Sequence, residues 1–125
     1  MTLLKVLLVD DDPMQVELLG RALAYEKIEF LALASLTEVA GALVRAPVEV
    51  ILLDVSVLGP EPRAAVKVVR ALAPPRAVVV LLSAADEGKL RRVALECETD
   101  GWLSKSTPVP EMAIRLRQLL ARRES

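Results

Sequence analysis

The sequence predicts an α/β fold, an open parallel β-sheet with helices on both faces, from two observations. Short aliphatic runs lack the polar alternation of a half-exposed strand, which is typical of parallel strands covered on both sides. Segments with helical spacing separate these runs, so that five strands alternate with five helices. Five such units are too few for an eight-unit barrel, and an open sheet is the simplest alternative.

Each predicted strand is a short run rich in Val, Ile and Leu. The five runs are KVLLV (5–9), IEFLALA (28–34), VEVILL (48–53), AVVVLL (77–82) and GWLS (101–104). In open parallel sheets, ligands bind beyond the carboxyl ends of the strands. The polar residues that follow these runs are therefore the first candidates for a functional site.

The first two helices are indicated by their start signals. Asp12 precedes Pro13, which is the usual order of an N-cap and a first helical residue. The apolar residues that follow on one face are Val16, Leu19 and Leu23. Ser35 and Glu38 have the spacing of a capping box that opens the second helix. Its predicted inward residues are Leu36, Ala40 and Leu43.

The other three helices are bounded by prolines and caps. The third begins near Pro62 or Arg63 and ends before Pro74, because the residue before a proline avoids helical geometry. Asp86 is the predicted N-cap of the fourth helix. The inward residues of this helix are Leu90, Val93, Ala94 and Cys97. The last helix runs from about Pro108 to Arg123, with Met112, Leu116, Leu119 and Leu120 inward.

Length and composition favour one folded domain, which we expect to span residues 1–125. Hydrophobic residues make up 54% of the chain and charged residues 26%, which is enough apolar material for a core. The formal net charge is -1, so we expect no direct binding to nucleic acid or to an anionic membrane. No apolar run reaches the roughly 18 residues of a membrane span, and we expect a cytoplasmic location.

The chain contains no histidine and one cysteine, Cys97. This composition excludes Ser/His/Asp and Cys/His catalysis, histidine metal sites and an internal disulfide. Carboxylate, lysine and hydroxyl groups remain as the chemically active side chains. A candidate site must therefore be built from these three types.

Carboxylates follow two of the predicted strands. Asp10 and Asp11 end the first strand, and Asp54 ends the third. In a parallel sheet these side chains meet at one edge, where like charges need a cation, backbone donors or open water. Oxygen donors without histidine or thiolate favour a hard cation. We therefore expect Mg²⁺ as the cofactor.

Ser83 ends the fourth strand and Lys105 follows the fifth, so a hydroxyl and a positive charge join the same edge. Such a set fits phosphoryl transfer, which depends mainly on positioning and charge neutralisation. The nucleophile would be a carboxylate. We assign Asp54, because it has no neighbouring acid, whereas the pair after the first strand can share a metal. The backbone carbonyl of Ser56, on the following loop, is a further candidate metal ligand.

The segments LLVDDDP, VILLDVSVLG, VVVLLSA and GWLSKS, in this order, resemble the CheY-like receiver domain of two-component response regulators over essentially the whole chain. The resemblance implies a flavodoxin-like (βα)5 fold with strand order 2-1-3-4-5. It implies that Asp54 accepts phosphate from a kinase histidine and that Ser83 and Lys105 contact the phosphoryl oxygens. The Mg²⁺ ligands that it implies are Asp10, Asp11, Asp54 and the Ser56 carbonyl.

The chain departs from the usual receiver pattern in four features. Trp102 stands where the family usually has a Tyr or Phe ring that moves on phosphorylation, and with Ser83 it is the candidate switch. Ser106 replaces a proline that usually follows the lysine in cis, which leaves the isomer of the Lys105–Ser106 bond open. Residues 58–59 (Leu-Gly) and 98–99 (Glu-Thr) replace the usual Pro-Gly and Gly-Ala, which predicts altered loops.

We expect Asp54 to receive phosphate from a sensor histidine kinase or a histidine phosphotransfer protein. The fourth helix, fifth strand and fifth helix would report the change to a downstream effector protein, and this surface is also a candidate homodimer interface. Phosphotransfer to the domain's own Asp54 and auto-dephosphorylation are self-modification more than turnover of an external substrate, so no enzyme is expected. The alternative is a pseudo-receiver, a phosphorylation-independent interaction module. An aspartyl phosphatase is disfavoured, because Ser56 stands where that class has a second aspartate.

Overall fold

A parallel sheet lies between two layers of helices in the computed structural model, which describes residues 3–84 and 86–124. The strands are β1 (Leu4–Val9), β2 (Ile28–Leu33), β3 (Val50–Asp54), β4 (Val78–Ser83) and β5 (Gly101–Ser104). The α-helices are α1 (Pro13–Tyr25), α2 (Val39–Arg45), α3 (Pro62–Leu72), α4 (Glu87–Glu96) and α5 (Val109–Glu124). Four residues of the predicted domain 1–125 lie outside the described residues: Met1, Thr2, Ala85 and Ser125.

The strand order in the sheet is β2-β1-β3-β4-β5, and every neighbouring pair is parallel. The predicted α/β fold and the strand order that the resemblance implied are both confirmed. Successive connections run to opposite sides of β1, which places a crevice at the carboxyl ends of β1 and β3. Within the described ranges, no helix has the length and apolar character needed to cross a membrane.

The two faces of the sheet bury separate apolar clusters, because successive strand residues point to opposite sides. In β3, Ile51 and Leu53 pack with residues of α2, α3 and α4, whereas Val50 and Leu52 pack with residues of α1 and α5. Every residue of β3 and β4 is buried. Cover on both faces explains why these segments show no polar alternation in the sequence.

The predicted caps of α1 and α4 are confirmed. Oδ1 of Asp12 accepts a hydrogen bond from the N–H of Met14 at 3.1 Å, and Pro13 is the first helical residue. Oδ1 of Asp86 accepts from the N–H of Lys89 at 3.0 Å. These bonds satisfy N–H groups that have no partner within the helix.

The second helix differs from the prediction in the face that it buries. A 3₁₀ turn, Leu36–Glu38, precedes α2, and residues three apart eclipse one another in this geometry. Val39 therefore takes the inward position that had been predicted for Ala40. Val39 and Ala42 are buried, whereas Ala40 is exposed.

The loops that depart from the receiver pattern adopt defined conformations. The Lys105–Ser106 bond is trans, as is every peptide bond in the described part of the chain. Glu98 has a φ of 57°, the left-handed conformation in which glycine commonly ends a helix. The loop after α4 thus adopts the left-handed conformation typical of glycine, although its residue is a glutamate.

The loop after Asp54 forms a 3₁₀ helix, Val55–Val57, and Gly59 has a φ of 74°.

Candidate functional site

Four of the predicted site residues lie at the carboxyl edge of the sheet. Asp10 directly follows β1, and Asp54 and Ser83 are the last residues of β3 and β4. Lys105 directly follows β5. Because β1, β3, β4 and β5 are successive neighbours in a parallel sheet, residues far apart in the chain share this edge.

Lys105 joins two carboxylates at the centre of this edge. Its Nζ atom lies 3.0 Å from Oδ2 of Asp10 and forms a second ion pair with Oδ2 of Asp54. The side chains are only 1% exposed for Asp10, 8% for Asp54 and 19% for Lys105, so solvent and salt screen these pairs little. The lysine neutralises two charges that would otherwise repel each other.

Backbone N–H groups hold the other oxygen of each carboxylate. Oδ1 of Asp10 accepts from the N–H of Asp12 at 3.0 Å, and Oδ1 of Asp54 accepts from the N–H of Ser56 at 2.9 Å. In both cases the donor lies two residues after the acid, the spacing at which an aspartate side chain closes a turn. One backbone donor and one ammonium group therefore fix the orientation of each carboxylate.

The ionisable groups of this cluster shift in different directions. Burial raises the pKa of Asp10, and the hydrogen bonds from Asp12 and Lys105 offset only part of this effect. Burial alone would also raise the pKa of Asp54, but hydrogen bonds from Lys105 and Ser56 outweigh it and lower this pKa. Burial would lower the pKa of Lys105, yet the two carboxylates raise it. The fold thus favours an ionised Asp54 beside a positive lysine.

Asp11 lies on the exposed side of the cluster, where its Oδ1 accepts a hydrogen bond from the hydroxyl of Ser56 at 3.1 Å. Ser56 therefore links Asp11 to Asp54 through its hydroxyl and its N–H. These oxygen donors fit a hard cation such as Mg²⁺. In residues 3–84 and 86–124, however, no three acidic, His or Cys side chains form a group suited to a metal ion. Lys105 is instead the cation that Asp10 and Asp54 share.

Ser83 is buried at the end of β4, beside the backbone of Lys105. Its carbonyl accepts a hydrogen bond from the N–H of Lys105 at 2.8 Å. Asp54 pairs in register with Leu82, so Ser83 lies one residue beyond the level of Asp54 on the neighbouring strand. The structure therefore brings Ser83 to the same edge as the three ion-paired residues, as the sequence predicts.

Trp102 lies half-buried on β5. It packs against the apolar cluster that α2, α3 and α4 cover. It also lines a groove of about 410 Å³ together with Glu87 of α4 and with Arg115 and Gln118 of α5. We call the surface formed by α4, β5 and α5 the α4-β5-α5 face. The predicted switch residue thus borders the surface predicted to carry the output.

Sequence reasoning missed the contribution of Ser104 and Ser106, which flank Lys105. The two hydroxyl groups are 2.7 Å apart, and the N–H of Ser106 donates to the hydroxyl oxygen of Ser104 at 3.2 Å. The pattern Ser-Lys-Ser directly after a predicted strand was the available signal, because serine hydroxyls often bond to the backbone in turns.

A parallel sheet of this order, with ion-paired acidic and lysine side chains at its carboxyl edge, defines an α/β domain of the flavodoxin-like class. Residues 6–117 match the response regulator receiver domain family, and the chain therefore belongs to this family. Receiver domains of this family function in two-component signalling, interact with histidine kinases and effectors, and generally bind Mg²⁺ near their aspartates.

Solved receiver domains share the fold at low sequence identity. A receiver domain protein from Methanospirillum hungatei is 17% identical, covers 98% of both chains and has a TM-score of 0.79. The BeF3-activated receiver domain of Klebsiella pneumoniae RstA is 22% identical over 93% of this chain and 97% of its own, with a TM-score of 0.78. Vibrio cholerae CheY4 is 21% identical over 94% and 99% of the two chains, with a TM-score of 0.77. A sequence comparison with curated proteins gave no significant match.

Proposed function

We propose that this domain is a cytoplasmic phosphorylation switch, in which Asp54 accepts a phosphoryl group from a sensor histidine kinase or a histidine phosphotransfer protein. The observation that carries the proposal is the buried ion pair between Lys105 and Asp54 at the carboxyl edge of the sheet. Membership of the receiver family supports the proposal, as does the likeness to a BeF3-activated domain.

In the proposed reaction, a carboxylate oxygen of Asp54 attacks the phosphorus of a phosphohistidine. A P–O bond forms, the P–N bond breaks, and its electron pair leaves with the imidazole nitrogen. The lowered pKa of Asp54 keeps the nucleophile ionised. Lys105, already beside Asp54, would donate to the phosphoryl oxygens, and the hydroxyl of Ser83 is a second candidate donor.

The oxygen donors around Asp54 are those expected to hold Mg²⁺: the carboxylates of Asp10, Asp11 and Asp54 and the carbonyl of Ser56. Mg²⁺ would neutralise charge on the phosphoryl oxygens. Asp10 and Asp54 each have an oxygen paired with Lys105 in the structure, so these carboxylates would have to release part of their contact with the lysine. Metal binding and lysine pairing are therefore expected to compete.

Water would then hydrolyse the aspartyl phosphate, releasing inorganic phosphate and returning the domain to its first state, so the covalent change is to the domain itself. The charge added at Asp54 would bias the α4-β5-α5 face, because Ser83 and Trp102 lie on the adjacent strands β4 and β5. A downstream effector protein, or a second copy of the domain, would bind this face.

The test is phosphorylation of the purified chain by acetyl phosphate with Mg²⁺, followed by intact-mass measurement. We expect one added phosphoryl group on the wild type and none on Asp54→Asn. Asp86→Asn is the matched control, because Asp86 caps α4 and asparagine is an equally good N-cap. The emission of Trp102 should change on phosphorylation. A wild type that stays unmodified, or an Asp54→Asn variant that is modified equally, refutes the proposal.

The pseudo-receiver is the second candidate function, and one observation favours it. Lys105 already supplies the positive charge that Asp10 and Asp54 require, so the fold needs no metal to keep these carboxylates together. A domain of this kind would bind its partner with or without phosphate. Absence of an Asp54 adduct in the mass measurement would favour this alternative.

A further inference from the structure

The turn after β5 holds the backbone of Lys105 on both sides. The N–H of Lys105 donates to the carbonyl of Ser83 at 2.8 Å. The N–H of Ser106 donates to the hydroxyl oxygen of Ser104 at 3.2 Å, and the two hydroxyl groups share a hydrogen bond of 2.7 Å. The N–H of Thr107 donates to the carbonyl of Ser104 at 3.0 Å. The N–H groups of Lys105, Ser106 and Thr107 are thus all hydrogen-bonded, the first to β4 and the other two to Ser104.

Ser104 is the centre of this turn, because its hydroxyl and its carbonyl both accept backbone N–H groups. The residue is only 6% exposed, so water competes little for these bonds. The N–H of Ser106 is a donor that a proline at this position would lack. Where the usual receiver pattern has a proline, this chain therefore orders the turn by a side-chain hydrogen bond.

We infer that Ser104 is a positioning residue for Lys105: its hydroxyl, through Ser106, directs the lysine toward Asp10 and Asp54. The inference rests on the proposed function, in which Lys105 contacts the phosphoryl oxygens. Lysine has a flexible four-carbon stem, so the orientation of its backbone decides how readily the ammonium group reaches one place. Phosphoryl transfer depends strongly on such placement.

The experiment measures the rate of Asp54 phosphorylation in the full chain against acetyl phosphate concentration, at saturating Mg²⁺. Ser104→Ala is expected to lower the rate constant at saturating phosphodonor about tenfold, with the half-saturating concentration within about twofold of the wild type. Ser104→Thr keeps the hydroxyl and is expected to retain the rate constant within about twofold. Each rate constant is divided by the folded fraction that circular dichroism gives, because loss of folded protein would also lower the rate without moving the half-saturating concentration. After this correction, a purely structural role for Ser104 would leave the rate constant at the wild-type value.

Two controls separate the hydroxyl from other effects. Ser104→Val has the shape of Ser104→Thr without the hydroxyl and is expected to behave like Ser104→Ala. Ser35→Ala removes a comparable bond elsewhere, because the hydroxyl of Ser35 lies 2.7 Å from that of Thr37 in another turn. This variant is expected to phosphorylate at the wild-type rate.

The outcomes distinguish this inference from the proposed function. A wild type that takes up no phosphoryl group refutes both. If the wild type is phosphorylated and Ser104→Ala and Ser104→Val keep its rate constant, the inference is overturned and the proposed function stands. Equal slowing of Ser35→Ala also overturns it, because general destabilisation then accounts for the loss. If circular dichroism shows that Ser104→Ala does not fold, the rate constants of Ser104→Val and Ser104→Thr are compared instead. Equal rate constants for these two variants would overturn the inference.

Discussion

The Nζ atom of Lys105 lies 3.0 Å from Oδ2 of Asp10, although 95 residues separate them in the chain. The same ammonium group pairs with Asp54, so three residues from three separate strand ends form one buried cluster. Buried ion pairs of this kind are costly to break, because the group that remains keeps an unpaired charge. The cluster therefore links the stability of the domain to the chemistry proposed for it.

Asp10→Asn and Asp54→Asn are predicted to change stability in opposite directions at pH 7. The fold raises the pKa of Asp10, chiefly by burial, so its charged form is disfavoured and a neutral amide should stabilise the fold. The pKa of Asp54 is lowered by Lys105 and Ser56 despite its burial, so a neutral amide should destabilise the fold. We expect the free energy of unfolding to rise for Asp10→Asn and to fall for Asp54→Asn.

Urea denaturation without added metal measures these two changes. Asp12→Asn is the control, because asparagine also caps α1 and the change lies outside the ion pairs. At the proposed Mg²⁺ site, Asp10→Asn would also remove a carboxylate ligand, so Mg²⁺ binding should weaken while stability rises. Equal changes in the same direction for Asp10→Asn and Asp54→Asn would contradict the prediction.

Lys105 is predicted to make the domain sensitive to alkali. Its pKa is raised in the folded state, so its contribution to stability is complete below the ordinary lysine value of 10.5 and is lost as the pH rises through the folded value. The wild type should therefore lose stability above that pH more steeply than Lys105→Met. Lys67→Met, on the exposed side of α3, should keep the wild-type slope. Thermal unfolding from about pH 9 to about pH 12 gives these slopes, and equal slopes above pH 10.5 for wild type and Lys105→Met would disprove the assignment.

Gly20 and Gly41, both in helices, are predicted to respond oppositely to alanine. A Cβ atom at Gly20 would lie 2.6 Å from Cε1 of the Phe30 ring and closer still to Cζ, so α1 and β2 would have to separate or the ring to move. We expect Gly20→Ala to cost about 1–2 kcal/mol. Gly41 has open space around the added atom, and Gly41→Ala should gain about 0.5–1 kcal/mol from helix propensity. Chemical denaturation of both variants checks the pair, and a loss at Gly41 would be the contrary result.

Glu98→Gly is predicted to stabilise the domain by about 0.5–1 kcal/mol. Glu98 has a φ of 57°, a conformation that costs energy for any residue with a Cβ atom. Its carboxylate approaches Arg63 at 4.0 Å, but both side chains are largely exposed, so little is lost with that contact. Glu98→Ala is the control, since it removes the carboxylate and keeps the Cβ. The melting temperature should rise for the Gly variant alone, and a similar rise for Glu98→Ala would point to the charge instead.

Local signals in the sequence were sufficient for most of the secondary structure. Asp12 and Asp86 cap the helices that they were predicted to cap, and each predicted strand lies within two residues of the observed one. Ala40 was the exception, because a 3₁₀ turn before α2 rotates the helix by an amount that apolar spacing does not reveal.

The sequence by itself determined the α/β fold and the candidate residues at its strand ends, because continuous apolar runs and helix caps are local features of the chain. Only the tertiary structure decided how those residues meet. Asp10 and Asp54 share Lys105 instead of forming a three-carboxylate group with Asp11, and Ser104 orders the turn that carries the lysine. These contacts depend on burial and on the register of neighbouring strands, which bring together groups that are distant in sequence.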